Sequence, residues 1–425
     1  EIGSGLVGSE MCIRDSAKGY WEVNLKALEA GGPYQLQITG KDNQISIKDI
    51  LIGDVWLCSG QSNMQWVVNN VTNAEVEKKN ANYSQIRTLN IPRRMELSPK
   101  DTISTTWLVC SPETVGRFSG VAYFFARKVY EETNIPIGII NSSWGGTIVE
   151  TWTSLEAANT LPQKRLDRYN KNEKLSPPTE YFTRTNKEAK RNDYPSLVYN
   201  AMIHPLLSFA IKGVVWYQGE NNVGNAEPYT DWLTCMISDW RNRWNSELPF
   251  YIIQLPNFDS TNKTPLWAEI RDAQRKVLTV PKTHLIVTSD LGDPHDLHPR
   301  NKQEVGMRVA LQVLHHEYGR PDIVSESPMF ERMEINGDKI IITFKNTGSG
   351  LEIRSRYGCL QGFTIAGEDK KFYWAQGELK DNRIVIWNPK VPNPIAVRYN
   401  WENNPDGNLY NKDGLPACLF RTDNW

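Results

Sequence analysis

The sequence predicts an α/β fold in which a parallel sheet is flanked by β-rich regions at both ends of the chain. Three observations carry this prediction. Between residues 51 and 325, short apolar segments alternate with helical patterns, which is typical of parallel sheets. Residues 17–50 alternate apolar and polar side chains, and residues 326–400 contain short strand patterns separated by Gly, Asn and Asp turns. A chain of 425 residues has room for two or three such units.

The start of the chain is unlike the rest. Residues 1–16, EIGSGLVGSEMCIRDS, match neither a signal peptide nor a strand or helix pattern. They are similar to translated sequencing-adapter sequence, so we expect them to be non-native and the natural N-terminus, with any export signal, to be missing. Residues 17–50 alternate at Tyr20–Leu25, Tyr34–Ile38 and Ile45–Ile47. Because two or three strands cannot bury a sheet face alone, we expect residues 17–50 to be the remnant of an N-terminal β domain.

Five apolar segments in the middle of the chain predict the strands of the parallel sheet. They are Val55–Cys58, Ile137–Ile140, Gly213–Tyr217, Phe250–Gln254 and His284–Thr288. Three amphipathic helices are predicted at Gly120–Glu132 with Ser119 as N-cap, at Glu227–Asn245 and at Lys302–Tyr318. We interpret the aromatic stripe of the second helix as core. The polar segment 155–191 predicts a surface connection with short helices.

The C-terminal part of the chain reads as β structure again. Four strand patterns fall between residues 326 and 400, and they predict a small β-sandwich. They are Ile340–Phe344, Gly362–Ile365, Phe372–Trp374 and Arg383–Trp387. We expect residues 401–425 to form a separate closing segment.

Composition excludes several classes of function. The net charge is −1 and no basic block is present, which argues against nucleic acid or an anionic membrane as the main partner. No apolar run in the sequence is long enough to span a membrane. The six cysteines lack the spacing of a zinc site, and their spacing does not decide their pairing. The oligomeric state is not predictable from these data.

The segment Gly53–Met64 predicts a buried strand that runs into a tight turn. Val55–Cys58 is apolar, Ser59 and Gly60 break the pattern, and Ser62 follows the break. A serine in this position lies at the carboxyl edge of the sheet, where open α/β proteins place their chemistry. A serine that caps a helix would show the same pattern, so Ser62 alone is equally compatible with both roles.

A serine nucleophile needs a base, and histidine is the usual one at neutral pH. The other four of the six histidines lie ahead of a strand, open a strand or end a helix. His295 and His298 lie in the loop Asp290–Pro299, which follows the last predicted strand and therefore shares an edge with Ser62. Neighbouring aspartates in this loop could orient the base, or could cap the next helix. A metal site of His295, His298 and Asp296 is a weaker alternative, since it lacks known zinc spacing.

Two further loops follow predicted strands. Asn141–Thr147 contains Gly145 and Gly146, whose backbone N–H groups can approach a ligand closely. Gln218–Asn222 offers side-chain amides that can stabilise an oxyanion. Each loop alone could be an ordinary turn. Together with the serine and the Asp-x-His segment, they predict one site at one sheet edge.

Four blocks and the C-terminal segment of the chain resemble the sialate O-acetylesterase family of SGNH-type carbohydrate esterases. The blocks are GDVWLCSGQSNM, NSSWGGTIVETW, VVWYQGENN and DLGDPHDLHPRNKQEVG, and the C-terminal segment begins at Ala396. The resemblance covers residues 17–425 in order. It implies a flavodoxin-like three-layer α/β/α core, Ser-His-Asp catalysis and neither a metal nor another cofactor.

Mapped onto this sequence, the resemblance makes Ser62 the nucleophile, His298 the base and Asp296 the orienting acid. SGNH proteins usually separate the last two by three positions rather than two, so Asp293 or Asp290 is the alternative acid. The expected oxyanion donors are the N–H groups of Ser62 and of Gly145 or Gly146, and the side chain of Asn222. Further candidates for substrate contact or support are Gln61, Asn63, Trp144, Gln218 and Glu220, and Glu150 and Trp152 lie nearby in sequence.

The function that the resemblance implies is hydrolysis of acetyl esters on sugars, either sialic acid or plant polysaccharide, through an acetyl-serine intermediate. The expected partner is thus an acetylated carbohydrate, and the family's habit of export implies a periplasmic or secreted location. Two alternatives stay open at this point. One is a non-catalytic glycan-binding protein with a degenerate SGNH core. The other is a metal-dependent hydrolase that uses His295 and His298.

Overall fold

A seven-stranded, mainly parallel sheet forms the centre of the protein. The computed structural model describes residues 13–15, 21–23, 28–40, 42–171, 173–178, 193–259 and 264–425. In spatial order the strands are Thr283–Ile286, Phe250–Ile253, Gly213–Tyr217, Asp54–Gly60, Ile137–Ser143, Tyr83–Asn90 and Trp107–Cys110. All neighbours pair in parallel except the last two, which are antiparallel. The predicted α/β class is therefore confirmed.

All five predicted strands are present, with ends shifted by up to about three residues, and the sheet has two more. Tyr83–Asn90 was missed because its burial alternates and polar residues interrupt it. Thr88 donates to Ile139 O across the sheet at 3.3 Å, so a polar side chain is accommodated inside the layer. Trp107–Cys110 is a four-residue edge strand, too short to give a periodic signal.

Helices cover both faces of the sheet. They are Ser62–Gln65, Ala74–Asn80, Gly120–Thr133, Leu155–Ala158, Gln163–Leu166, Leu197–Met202, Ala226–Trp244, Leu266–Lys276 and Lys302–Glu317. Single 3₁₀ turns lie at Val68–Asn70, Val115–Arg117, Val149–Trp152, His204–Leu206, Glu220–Asn222 and Val277–Thr279. The three predicted amphipathic helices are confirmed to within one residue at each end, and Ser119 accepts from Ala122 N as the predicted N-cap.

The aromatic stripe on the helix Ala226–Trp244 is core, as predicted. Tyr229, Trp232 and Trp240 are at most 1% exposed, and Trp240 meets Trp216 of the sheet edge-on with ring centroids 5.9 Å apart. Two short helices, at Leu155–Ala158 and Gln163–Leu166, occupy the first part of the segment predicted as a surface connection. Residues 172 and 179–192 of that segment lie outside the described residues.

An antiparallel hairpin precedes the central sheet. Gly31–Thr39 pairs with Gln44–Ile52, and the second strand ends two residues before the strand that leads to Ser62. Arg87 of the sheet bonds Asp49 of the hairpin at 2.7 Å, which attaches the two. A short pair, Ile13–Asp15 with Trp21–Val23, precedes the hairpin. The remaining residues before 28, which include most of the predicted adapter-like segment, lie outside the described residues.

Two four-stranded antiparallel sheets form the C-terminal region. One has the order Met329–Asn336, Lys339–Lys345, Arg383–Trp387 and Gln376–Lys380. The other has the order Phe372–Trp374, Phe363–Ala366, Ala396–Tyr399 and Phe420–Arg421. Leu351–Ile353 pairs with Leu409–Asn411 beside them. The sheets share a core that includes Ile342, Ile365 and Phe420.

The C-terminal region also contacts the loop and the helix that follow the strand Phe250–Ile253. The guanidinium of Arg271, which is 0% exposed, donates to Glu402 O. Asn403 O accepts from Phe258 N at 3.2 Å, and its Oδ1 accepts from Trp267 N at 3.0 Å. Residues 402–403 therefore hold the loop that follows the strand Phe250–Ile253, at the carboxyl edge of the sheet.

Five cysteines of the described chain are free thiols: Cys58, Cys110, Cys235, Cys359 and Cys418. Among the described residues, every helix is too short or too polar to cross a membrane.

Candidate active site

Ser62 begins a short helix directly after the strand Asp54–Gly60. The turn is possible because Gly60 has no side chain. Its φ is +136°, and a Cβ there would lie 2.1 Å from the carbonyl oxygen of Tyr217 on the neighbouring strand. The N–H of Gln61 donates to that same oxygen at 2.9 Å. The neighbouring strand thus fixes the chain immediately before Ser62.

The hydroxyl of Ser62 lies 2.9 Å from Nε2 of His298, so the predicted nucleophile and base are in hydrogen-bond contact. The ring of Trp66 stacks on the imidazole, with centroids 4.9 Å apart and planes 11° apart. Burial, together with the positive charge of Lys302, lowers the pKa of His298, while Asp296 opposes the shift. A lowered pKa keeps the imidazole neutral near pH 7, which is the form that accepts a proton.

Three aspartates precede His298, and the structure separates their roles. Asp290 binds Arg308 through both of its oxygens at 2.7 Å, and Asp293 accepts the main-chain N–H of His295 at 2.8 Å. Asp296 accepts the main-chain N–H of His298 at 2.8 Å, and its charge raises the pKa of the imidazole. Of the three, Asp296 is therefore the carboxylate in hydrogen-bond contact with His298. Its hydrogen bond reaches the backbone rather than the ring Nδ1, so the orienting role stays a prediction.

A buried polar network lies directly behind the serine and the histidine. Asn63, which is 0% exposed, donates to Glu220 Oε1 at 2.5 Å and to Leu297 O at 3.1 Å. Lys302 Nζ donates to Asn63 Oδ1 at 2.5 Å. Burial raises the pKa of Glu220 and lowers that of Lys302 to about 7. Through Asn63, the network joins the loops that carry the nucleophile, the base and the amides.

The glycine loop lies against the nucleophile. A Cβ on Gly145 would lie 3.1 Å from Ser62 Cβ, and Trp144 N donates to Gly60 O at 2.9 Å. The N–H of Gly145 donates to the side-chain oxygen of Gln65 at 2.9 Å. Gly146 has a φ of +77° and would have open space around a Cβ. Gly145 is thus the glycine that lies close to the serine, where a side chain would be tightly packed.

The structure buries Asn222, the predicted side-chain oxyanion donor, so that role stays a prediction. Its side chain is 1% exposed, and both its oxygen and its nitrogen have buried hydrogen-bond partners. Its oxygen accepts from Val149 N at 3.1 Å and from Gln218 Nε2 at 2.7 Å, while its nitrogen donates to Glu150 Oε2 at 2.9 Å. The neighbouring Asn221 is exposed instead, and its amide donates to Gly146 O at 2.8 Å. Of the two amides, that of Asn221 is the one open to a ligand.

Other predicted residues support the loops instead of facing the site. Gln61 is 3% exposed, and its side-chain oxygen accepts from Gly219 N at 3.1 Å. Gln218 is buried and donates to Thr147 O. Trp152 is 0% exposed and meets Trp216 edge-on, so it packs in the core and cannot contact sugar in this arrangement. Glu150, at 2% exposed, is likewise buried.

Sequence reasoning missed four residues that shape the site: Gln65, Trp66, Asn221 and Lys302. Two of them carried a signal in the sequence. Trp66 follows Ser62 by four residues, close to one helical turn, and Lys302 is the first residue of the helix after the loop that carries His298. Sequence spacing did not indicate which of Asn221 and Asn222 is exposed, because the folded structure determines which amide is buried.

Comparison with known proteins assigns the family. The family model described as a carbohydrate esterase, sialic acid-specific acetylesterase, matches residues 52–315. The sialate O-acetylesterase of Pongo abelii is 33% identical over 355 residues, which are 75% of this chain and 64% of that protein. The human sialate O-acetylesterase is 32% identical with the same coverage. The chain thus spans less than two thirds of the length of these relatives.

A solved structure extends the likeness to three dimensions. The crystal structure of a carbohydrate acetylesterase from Xanthomonas citri is 37% identical, with a TM-score of 0.86. The match covers 96% of this chain and 89% of that one. The family model matches more than half of the chain and includes Ser62 and His298. The chain therefore belongs to the sialic acid-specific acetylesterase family of carbohydrate esterases.

Proposed function

We propose that this protein hydrolyses acetyl esters on carbohydrates by serine covalent catalysis. The observation that carries the proposal is the 2.9 Å contact between Ser62 Oγ and His298 Nε2 beside the N–H of Gly145. A nucleophile, a neutral base and a backbone donor at one point are what acyl transfer requires. The same contact disfavours a glycan-binding protein with a degenerate core, since binding alone does not require it.

In the first half of the reaction, Ser62 Oγ attacks the carbonyl carbon of the acetyl group and its proton passes to His298 Nε2. The N–H groups of Ser62 and Gly145 stabilise the oxyanion. For this, the N–H of Gly145 gives up its hydrogen bond to the side-chain oxygen of Gln65 and donates to the oxyanion instead. The exposed amide of Asn221 supplies a third donor in place of Asn222. Collapse of the tetrahedral intermediate expels the sugar oxygen, which receives the proton from His298 and leaves as a hydroxyl.

In the second half, water attacks the acetyl-serine and His298 accepts the proton of that water. Collapse of the second intermediate returns the proton to Ser62 Oγ and releases acetic acid, which ionises to acetate in solvent, so the enzyme ends in its starting state. Asp296 stabilises the imidazolium that forms in each half, because its negative charge raises the pKa of His298. Apart from the substrate and one water molecule, the groups used are side chains and N–H groups of this chain, so each half-reaction balances without a metal ion.

The substrate class is an O-acetylated sugar, and its identity is the open part of the proposal. The mammalian relatives are named for sialate and the bacterial one for carbohydrate. O-acetylated N-acetylneuraminic acid and acetylated xylan therefore represent the two expected classes.

The test is acetate release from both substrates and from an aryl acetate, for the wild type and for Ser62→Ala. We expect the substitution to lower kcat by several orders of magnitude. His298→Gln should do the same, whereas His295→Gln, in the same loop but exposed, is the matched control and should retain activity. Turnover should also persist in EDTA. An active Ser62→Ala protein contradicts the mechanism, and loss of activity in EDTA or in His295→Gln supports the metal-dependent alternative.

A further inference from the structure

Three metal-ligating side chains meet at the edge of the sheet opposite Ser62. His284 lies at the amino end of the strand Thr283–Ile286, and His316 lies in the last turn of the helix Lys302–Glu317. Glu326 lies in the segment between that helix and the first C-terminal strand. One ligand atom from each lies within 4.8 Å of the other two. Because parallel strands place their amino ends on one edge, this cluster is separate from the catalytic edge.

The distance between His316 and Glu326 is compatible with both an ion pair and a shared metal ion. His316 Nε2 and Glu326 Oε1 are 3.4 Å apart, which is longer than a normal charge-assisted hydrogen bond of about 2.7–2.9 Å. Two ligands that each lie about 2.0–2.1 Å from a tetrahedral zinc ion are separated by roughly 3.3 Å. The two oxygens of the Glu326 carboxylate have different partners. Oε1 lies beside His316, and Oε2 accepts a hydrogen bond from Asn346 Nδ2.

The neighbouring groups hold two of the three ligands in place. The ring of Tyr251 stacks on His284 with centroids 4.9 Å apart, and the bond from Asn346 fixes the carboxylate of Glu326. Such outer contacts orient the ligands of protein metal sites. His316 is exposed, and its ring lies 4.0 Å from that of His284 with planes 30° apart. Nearly stacked rings do not aim their nitrogens at one point, so the His316 ring must turn for both to bind one ion.

We propose that His284, His316 and Glu326 bind one Zn²⁺ ion, with water as the fourth ligand. Two imidazoles and one carboxylate are a donor set that zinc accepts in tetrahedral geometry. Nothing in the ester-hydrolysis mechanism uses these residues. The ion would join three segments: the sheet, its last helix and the segment that leads into the C-terminal sheets. Its effect is therefore on the stability of this junction and not on turnover.

The test uses the full chain, freed of metal with EDTA and then dialysed into metal-free buffer. Zinc chloride is titrated by calorimetry, and thermal unfolding is followed with and without zinc. Co²⁺ serves as a second probe, because tetrahedral Co²⁺ gives intense visible absorption. We expect one Zn²⁺ per chain at micromolar or tighter affinity, a rise in Tm, and the tetrahedral Co²⁺ spectrum. Turnover of an aryl acetate should be equal with and without zinc.

Variants identify the ligands. His316→Gln and Glu326→Gln should each weaken zinc binding at least about tenfold and remove the rise in Tm. His204→Gln removes a partly exposed histidine that pairs with Asp101 elsewhere, and it should bind zinc like the wild type. Absence of stoichiometric binding by the wild type overturns the proposal. So does a zinc response that is equal in His316→Gln, Glu326→Gln and the wild type. Because the Co²⁺ spectrum is measured on the wild type, the test does not depend on the folding of any variant.

Discussion

Replacing Asn222 by alanine should destabilise the protein much more than replacing its neighbour Asn221. The buried amide of Asn222 accepts the main-chain N–H of Val149 and donates to Glu150. Without it, that N–H is unsatisfied, at a cost of about 1–3 kcal/mol, and the carboxylate loses a bond of about 1.5–3 kcal/mol. Because the two effects share one pocket they are not strictly additive, and we expect a loss of about 3–5 kcal/mol in the free energy of unfolding.

Asn221→Ala is the matched control with the opposite expected phenotype. Its exposed side chain makes one bond, to Gly146 O, so its removal should cost less than about 1 kcal/mol of stability. As an oxyanion donor, however, it should lower kcat by about 10²–10³-fold. Urea denaturation followed by tryptophan fluorescence and turnover of an aryl acetate measure the two effects. A stable but inactive Asn222→Ala protein, together with an active Asn221→Ala protein, would refute this division of roles.

Three further predictions concern the base. Because burial and Lys302 lower the pKa of His298, kcat/KM should fall on acidification with a midpoint below 6.5, and Lys302→Met should raise that midpoint. A midpoint above 6.5 in the wild type contradicts this. Asp296→Asn should lower kcat by orders of magnitude and Asp293→Asn by little, as steady-state rates will show; the reverse order would identify Asp293 as the acid. Trp66→Ala should lower kcat roughly 2- to 10-fold, because it removes about 0.5–1.5 kcal/mol of stacking on the His298 ring. Trp66→Phe keeps an aromatic ring and should retain most of the activity. An equal loss in both variants would show that the effect does not come from stacking.

Strong apolar periodicity was enough to predict most of the fold. The five strands that read as continuous apolar runs lie side by side in the sheet, and the helix Ala226–Trp244 shows its buried face as an aromatic stripe. The strand Tyr83–Asn90 escaped because its polar residues find partners in the folded protein, as Thr88 does with Ile139 O. Local sequence does not reveal such partners, since Ile139 is 51 residues away along the chain.

The candidate site was predictable to the extent that sheet topology controls it. Ser62 and His298 each follow the carboxyl end of a strand, so the order of strands and loops along the chain was enough to expect them at one edge. Burial at the level of single side chains was not predictable in this way. Asn221 and Asn222 are adjacent residues of the same type in the 3₁₀ turn Glu220–Asn222, yet the first is exposed and the second is buried. The partners of Asn63 come from separate parts of the chain and likewise depend on the assembled fold.

The contact between Gly60 and Tyr217 ties the position of Ser62 relative to His298 to the spacing of two neighbouring strands. Gly60 pairs with Tyr217, whose carbonyl occupies the space of the missing side chain and accepts the N–H that precedes the nucleophile. Any larger residue at position 60 would push the strands apart, and Ser62 would move with them relative to His298. Substitutions in the sheet interior that change the strand spacing should therefore lower catalytic activity as well as stability, even though these residues do not contact the substrate. Variation in this protein should accordingly concentrate in the outer loops, while the two central strands keep their spacing.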